Sequence, residues 1–224
     1  MLRFPVLALL ALTLSASLPR AATAQDEETA KLREVTAVFE EMLGMNEEAI
    51  PNRILEEAHA VAVLPGVVKA GFLLAGRRGR GVLLVRRDSA WSAPAFLTLT
   101  GGSFGLQAGA SSTDVVLVFR NRGSVTSLID GKLTLGGTVS VAAGPVGRSA
   151  EAATDARLKA EIYSYSRSRG AFAGLSIEGA QLSFSQTNNR AVYGRGVSVH
   201  DILYGSTAFP PAADRLRTLL RRTD

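Results

Sequence analysis

The 224-residue chain contains no cysteine. That excludes disulfides, thiolate metal sites, a cysteine nucleophile and a lipid-bearing cysteine, so apolar burial alone must hold the fold together. Phe, Trp and Tyr make up only 6% of the residues. This is too few for the stacking platforms that read single-stranded nucleic acid, and too few for the aromatic girdles of an outer-membrane barrel. The two histidines, His59 and His200, lie far apart in sequence and outside any HExxH spacing. Neither a metal site nor a cofactor is expected from them. Beyond residue 24, Gly, Arg or Asp interrupts each apolar run within about ten residues, short of the length a membrane-spanning helix needs.

The N-terminus has what the rest lacks. Met1-Leu2-Arg3 is a short basic start, Phe4 to Leu18 is almost wholly apolar, and Ala22-Thr23-Ala24 supplies the small-x-small pattern read by signal peptidase. Residues 1–24 are therefore expected to be a signal peptide, with a retained anchor as the alternative, and the product periplasmic or secreted. Residues 25–224 have the length of one domain. Losing Arg3 and Arg20 takes the formal net charge from +5 to +3. The charge is also unevenly spread: residues 25–57 hold ten acids and three bases, whereas residues 58–224 hold ten acids and twenty bases. An acidic start followed by a basic body suits an anionic partner for the body.

Glu27 to Leu43 carries Leu32, Val35, Phe39 and Met42 at three-and-four spacing, which predicts an amphipathic helix with acids in its first turn. Pro51 opens a second, shorter helix to Ala58. From Ala60 on, short β-branched and leucine-rich runs punctuated by glycine predict strands at 61–64, 68–75, 81–87, 95–100, 115–119, 133–135, 139–142, 161–166, 171–177 and 180–185. Helices are predicted at 123–129 and 212–222, the latter basic with Leu216, Leu219 and Leu220 inward. The fold class is α+β: a curved antiparallel sheet, barrel-like in the limit, with N-terminal helices and a C-terminal helix.

A turn centred near Arg78 would make a hairpin with Lys69 opposite Arg87 and with Arg77, Arg78 and Arg80 at the tip. Gly76-Arg77-Arg78-Gly79-Arg80-Gly81 lacks the Gly-Lys-Ser/Thr ending of a phosphate loop. Gly101-Gly102-Ser103-Phe104-Gly105, followed by Asp114 and His200, matches a nucleophile elbow in pattern and order. An elbow needs a helix after the serine, and Leu106-Gln107-Ala108-Gly109-Ala110 reads as further strand.

Several stretches in order resemble one family. They are Ile50-Pro51, Val63-Leu64-Pro65, Lys69-Ala70-Gly71-Phe72, Trp91-Ser92-Ala93-Pro94, Gly105 to Gly109, Leu135-Gly136-Gly137, Gly144-Pro145-Val146-Gly147-Arg148, Tyr163 to Ser168, Gly170 to Gly174 and Asn189 to Tyr193. Together they resemble the SYLF domain, also called the Ysc84 actin-binding domain, over residues 25–224. The resemblance implies a binding module without catalytic residues, one that takes phosphoinositide-containing membranes or, in some members, actin. The expected export compartment holds no actin, and no SH3 or FYVE segment is recognised. The acids of the first helix disfavour insertion by that helix, so the contact is assigned to the basic body.

The expected function is peripheral binding of anionic phospholipid, with phosphoinositide-like headgroups, and no binding of nucleic acid. The candidate headgroup residues are Lys69, Arg77, Arg78, Arg80, Arg86, Arg87 and Arg148, because guanidinium groups clamp phosphate oxygens. Arg148 has an alternative role as a structural partner of Glu151 or Asp155. Trp91, Tyr163, Tyr165 and Phe172 are expected in the core first. Two competing functions stay open: an envelope scaffold that binds a protein or glycan, and a hydrolase using Ser103.

Overall fold

The computed structural model describes residues 23–45, 49–88, 90–146, 159–168, 171–172 and 177–221, with backbone alone at 72–74, 103–109 and 171–172. Two strands far longer than the sequence suggests form its frame. Strand β1 runs unbroken over Ala60–Arg87 and β3 over Ala95–Phe119, antiparallel from Ala60 opposite Phe119 to Leu83 opposite Ala95. The predicted strands 61–64, 68–75 and 81–87 thus fuse, and the hairpin expected at Gly76–Gly81 does not form. Arg78 faces Thr100, Lys69 faces Ser111, and Arg87 pairs with Ala90 of the short β2 (Ala90–Trp91).

The glycines that suggested a turn mark a crossing instead. The β1/β3 ribbon doubles over, and the second half of β1 lies on its first half. A Cβ at Gly79 would stand 2.7 Å from Val67 Cγ2, and one at Gly81 would stand 2.0 Å from the Val63 carbonyl oxygen. The Arg86 N–H then donates to His59 O at 2.9 Å, joining the two ends of the same strand. Bulges between Leu64 and Val67 and between Gly71 and Leu73 bend the ribbon.

The other edge of β3 is shared. Strand β5 (Ile162–Ser168) pairs with residues 114–119, and β7 (Gln181–Phe184) pairs with 97–100. Strand β4 (Val141–Ala143) adds to β5 in parallel, and β6 (Ala171–Phe172) turns back along its end. The result is the curled, half-barrel sheet that the α+β reading anticipates, with one parallel pair in an otherwise antiparallel order. Of the remaining predicted strands, 133–135 is reduced to bridges at Thr134 and Leu135. Residues 173–176 of the predicted strand 171–177 lie outside the described residues.

Helix α1 (Ala24–Gly44) starts on a capping box: Thr23 accepts from Asp26 N, while the Asp26 carboxylate accepts from Thr23 N. Helices α2 (Asn52–Glu56) and α3 (Arg122–Ile129) match the predicted ones. Helices α4 (Gln186–Tyr193) and α5 (Val199–Tyr204) were not predicted. Each is capped by a serine, Ser185 and Ser198, and Ser198 forms a capping box with Asp201. A 3-10 turn at Pro211–Ala213 leads into α6 (Asp214–Arg221). The predicted signal peptide lies outside the described residues, apart from Thr23 and Ala24.

Both faces of the sheet are covered, which explains why its strands read as apolar runs. Alternate residues of β1 divide between two cores. Ala62, Leu64, Leu83 and Val85 pack with α3 and α5, whereas Val61, Val63, Val82 and Leu84 pack with α1, α2 and α6. Trp91, Tyr163 and Tyr165 are buried in the second core as expected.

Candidate functional site

The structure separates the six predicted headgroup residues that are described into different surroundings. Lys69 is partly exposed on the stretch of ribbon that neither β5 nor β7 reaches, and Arg78 is exposed. Arg80 donates to Glu28 of α1 at 2.7 Å. Arg77 is 7% exposed, its Nε and Nη1 have no acceptor, and burial lowers its pKa. Arg86 serves the fold: its Nε donates to Ala58 O at 3.0 Å, its Nη2 donates to Leu55 O at 2.7 Å, and its guanidinium lies 4.7 Å over the Trp91 ring. Arg148 lies outside the described residues. The two clusters that the sequence suggested therefore do not assemble, because the turn that was to gather them does not exist.

Arg87 instead meets basic residues from the end of the chain. Its Nη1 donates to Gly205 O, and its buried Nε has no acceptor. A pocket of about 360 Å³ opens beside it, walled by Arg87, Trp91, Arg217 and Arg221, with Thr207 and Phe209 at its far side. Among the described residues no acidic side chain lines this pocket. Arg217 is held in place by Asp214, 2.9 Å away, and by the Phe209 ring, 4.7 Å from its guanidinium. Trp91 is only 3% exposed, yet its indole N–H is buried without an acceptor. Buried indole N–H groups ordinarily find a partner. Three arginines around one cavity form a receptor for an anion with several oxygens.

Arg217 and Arg221 were missed as site residues, although the basic character of their helix was read. Their i, i+4 spacing places both on one face, and that was the available signal. What could not be read was which part of the sheet the face would meet.

Two further cavities adjoin. On the other side of Arg87, about 270 Å³ is lined by His59, Arg86, Asp88, Arg122 and Tyr204. Toward α1, a groove of about 980 Å³ runs between Leu32 and Arg33 on one wall and Val192, Val197 and Pro210 on the other. Thr207 and Phe209 line this groove as well as the arginine pocket.

The elements of a serine hydrolase do not converge. Ser103 lies within continuous strand β3, without the strand-to-helix elbow that would expose a nucleophile. Asp114 accepts from Gly66 N at 2.9 Å and from Arg167 Nη2 at 2.7 Å, a structural engagement, and His200 stacks on Tyr204 at 5.2 Å on the exposed side of α5. Among the described residues no group of three or more metal-ligating side chains is found.

Residues 100–223 match the model of the Ysc84 family, described as "Las17-binding protein actin regulator". The chain belongs to the Ysc84 family. It is 38% identical to "Protein YSC84" of Saccharomyces cerevisiae over 207 residues, 91% of this chain and 44% of the relative. It is 35% identical to the human "SH3 domain-containing YSC84-like protein 1" over 197 residues, 86% of this chain and 57% of the relative. The chain spans about half the length of these curated relatives. A further relative, "LAS seventeen-binding protein 3" of Saccharomyces cerevisiae, 37% identical over 207 residues, 91% of this chain and 45% of the relative, is named for binding, as is the family model.

Proposed function

We propose that this Ysc84-family domain is a non-catalytic binding module for anionic phospholipid at a membrane surface of the cell envelope, reached by export through residues 1–24. The observation that carries the reading is the arginine pocket of Arg87, Arg217 and Arg221, whose described lining includes no acidic side chain. It opens on a body whose residues 67–113 contain six cations and a single acid, Asp88. Each basic residue close to a charged leaflet contributes about 1 kcal/mol, and the contribution fades with salt. Flotation with phosphatidylglycerol or cardiolipin vesicles is the test. Binding that is strong at low ionic strength, weak at high, and absent from phosphatidylcholine is expected; indifference to anionic vesicles at low salt removes the proposal. Ser103→Ala should change neither flotation nor any ester hydrolysis.

A second reading draws on the family description, which names protein partners. The same basic surface would accept an acidic protein in an envelope scaffold. Salt-sensitive flotation with protein-free vesicles favours the lipid, since a protein-only scaffold would stay in the unbound fraction.

A further inference from the structure

The arginine pocket and the large groove share a wall, and the shared residues matter more than either cavity alone. Thr207 and Phe209 line both. On one side of them lie Arg87, Arg217 and Arg221, with Trp91. On the other lie Leu32, Val192, Val197 and Pro210 in a groove of about 980 Å³, at the upper end of the volume that sites for small molecules enclose. A cationic compartment joined to a groove in which Leu32, Val192, Val197 and Pro210 supply apolar surface beside Gln25, Thr29 and Arg33 matches a molecule with a phosphate at one end and hydrocarbon at the other.

We propose that one phospholipid molecule seats here, its phosphate among Arg87, Arg217 and Arg221 and its acyl chain along the groove past Phe209. The inference rests on the anionic-lipid reading above and adds to it: the domain takes up a single lipid as well as touching a headgroup layer. The charge pattern favours this occupant, because a free fatty acid would leave three guanidinium groups around one carboxylate, whereas a phosphate offers oxygens to all three. Phe209 is the joint of the site, since Arg217 packs on its ring from the polar side while the same residue bounds the apolar groove.

Trp91 is the only tryptophan in the chain, so its fluorescence reports on the polar compartment directly. The test titrates the full domain with monomeric dihexanoyl phosphatidylglycerol and, separately, with glycerol 3-phosphate. Saturable change with the lipid, at least tenfold tighter than with glycerol 3-phosphate, is expected. Arg221→Glu, at an exposed position on the last turn of α6, should weaken both ligands at least tenfold, and Arg217→Gln should do the same. Ala208→Phe, which fills the groove from an exposed position, should weaken only the lipid. Equal affinity for the two ligands would make this a soluble phosphate-ester site and overturn the proposal. So would an unchanged Trp91 signal, or lipid binding by Arg221→Glu within twofold of the parent. Vesicle flotation of the same samples separates the two readings. Flotation that persists while monomeric lipid fails to bind leaves surface binding standing and removes the single-lipid site, whereas loss of both removes both.

Discussion

Gly81 lies directly against the backbone of Val63, about 60 Å of extended strand earlier in the same β1, so closely that a Cβ there would stand 2.0 Å from the Val63 carbonyl oxygen. Neither backbone has room to withdraw, since β3 is bonded to both halves of β1. Gly81→Ala should therefore cost about 3 kcal/mol or more, beyond ordinary overpacking. Gly76→Ala, where a new Cβ meets nothing within 4 Å, should be tolerated. Urea denaturation of the pair checks the contrast.

Arg80 was read from sequence as a headgroup ligand, but its guanidinium is committed to Glu28, whose side chain is 5% exposed. Arg80→Gln should lower stability by about 2 kcal/mol, a figure reduced for the exposure of the arginine and due mainly to the carboxylate left buried. Vesicle flotation should be unchanged. A loss of flotation at native stability would return Arg80 to the binding surface.

Arg86 clamps two carbonyl oxygens at the end of α2 while its plane covers Trp91. A lysine keeps the charge and loses the fork. Arg86→Lys should cost about 2 kcal/mol and shift Trp91 emission in the unliganded domain, measurable by denaturation and fluorescence.

Tyr165 and Tyr193 are raised in pKa by burial, and their hydroxyls donate to Pro145 O at 3.2 Å and Pro94 O at 2.6 Å. A phenol whose folded pKa is raised holds its proton longer in the native than in the unfolded chain. Its stabilising effect is complete below the ordinary value of about 10 and declines as pH rises beyond it. Thermal unfolding should thus fall steeply above that pH, and Tyr165→Phe with Tyr193→Phe should flatten the decline. An equally steep decline in the double variant would contradict this assignment.

Much of the architecture was legible because it is local. The apolar spacing of Leu32, Val35, Phe39 and Met42 gave α1, and the β-branched runs gave separate pieces of the two long strands β1 and β3. Glycine was misread at residues 76–81, since a turn and a backbone crossing call for the same missing side chain and only the tertiary partner, Val63, tells them apart. Helices α4 and α5 were missed although their serine caps stood in the sequence, because short polar segments carry little periodicity. For the site, basic character was legible and partnership was not. Nothing in the order of residues sets Arg217 and Arg221 beside Arg87, whereas the docking of α6 near β2 does.

The doubled ribbon also dictates when the molecule can be finished. Strand β3 sits at the middle of the sheet, but residues 97–100 gain their second neighbour only from residues 181–184. A nascent chain that has emerged as far as residue 160 owns both long strands and neither β5 nor β7, leaving a central strand with a bare edge. Contacts so distant along the polymer are slow to form and invite mispairing meanwhile. Assembly is accordingly a late event governed by residues 162 onward, and a truncation ahead of Gln181 would remove the closing piece together with six of the 25 Lys and Arg residues, Arg217 and Arg221 among them.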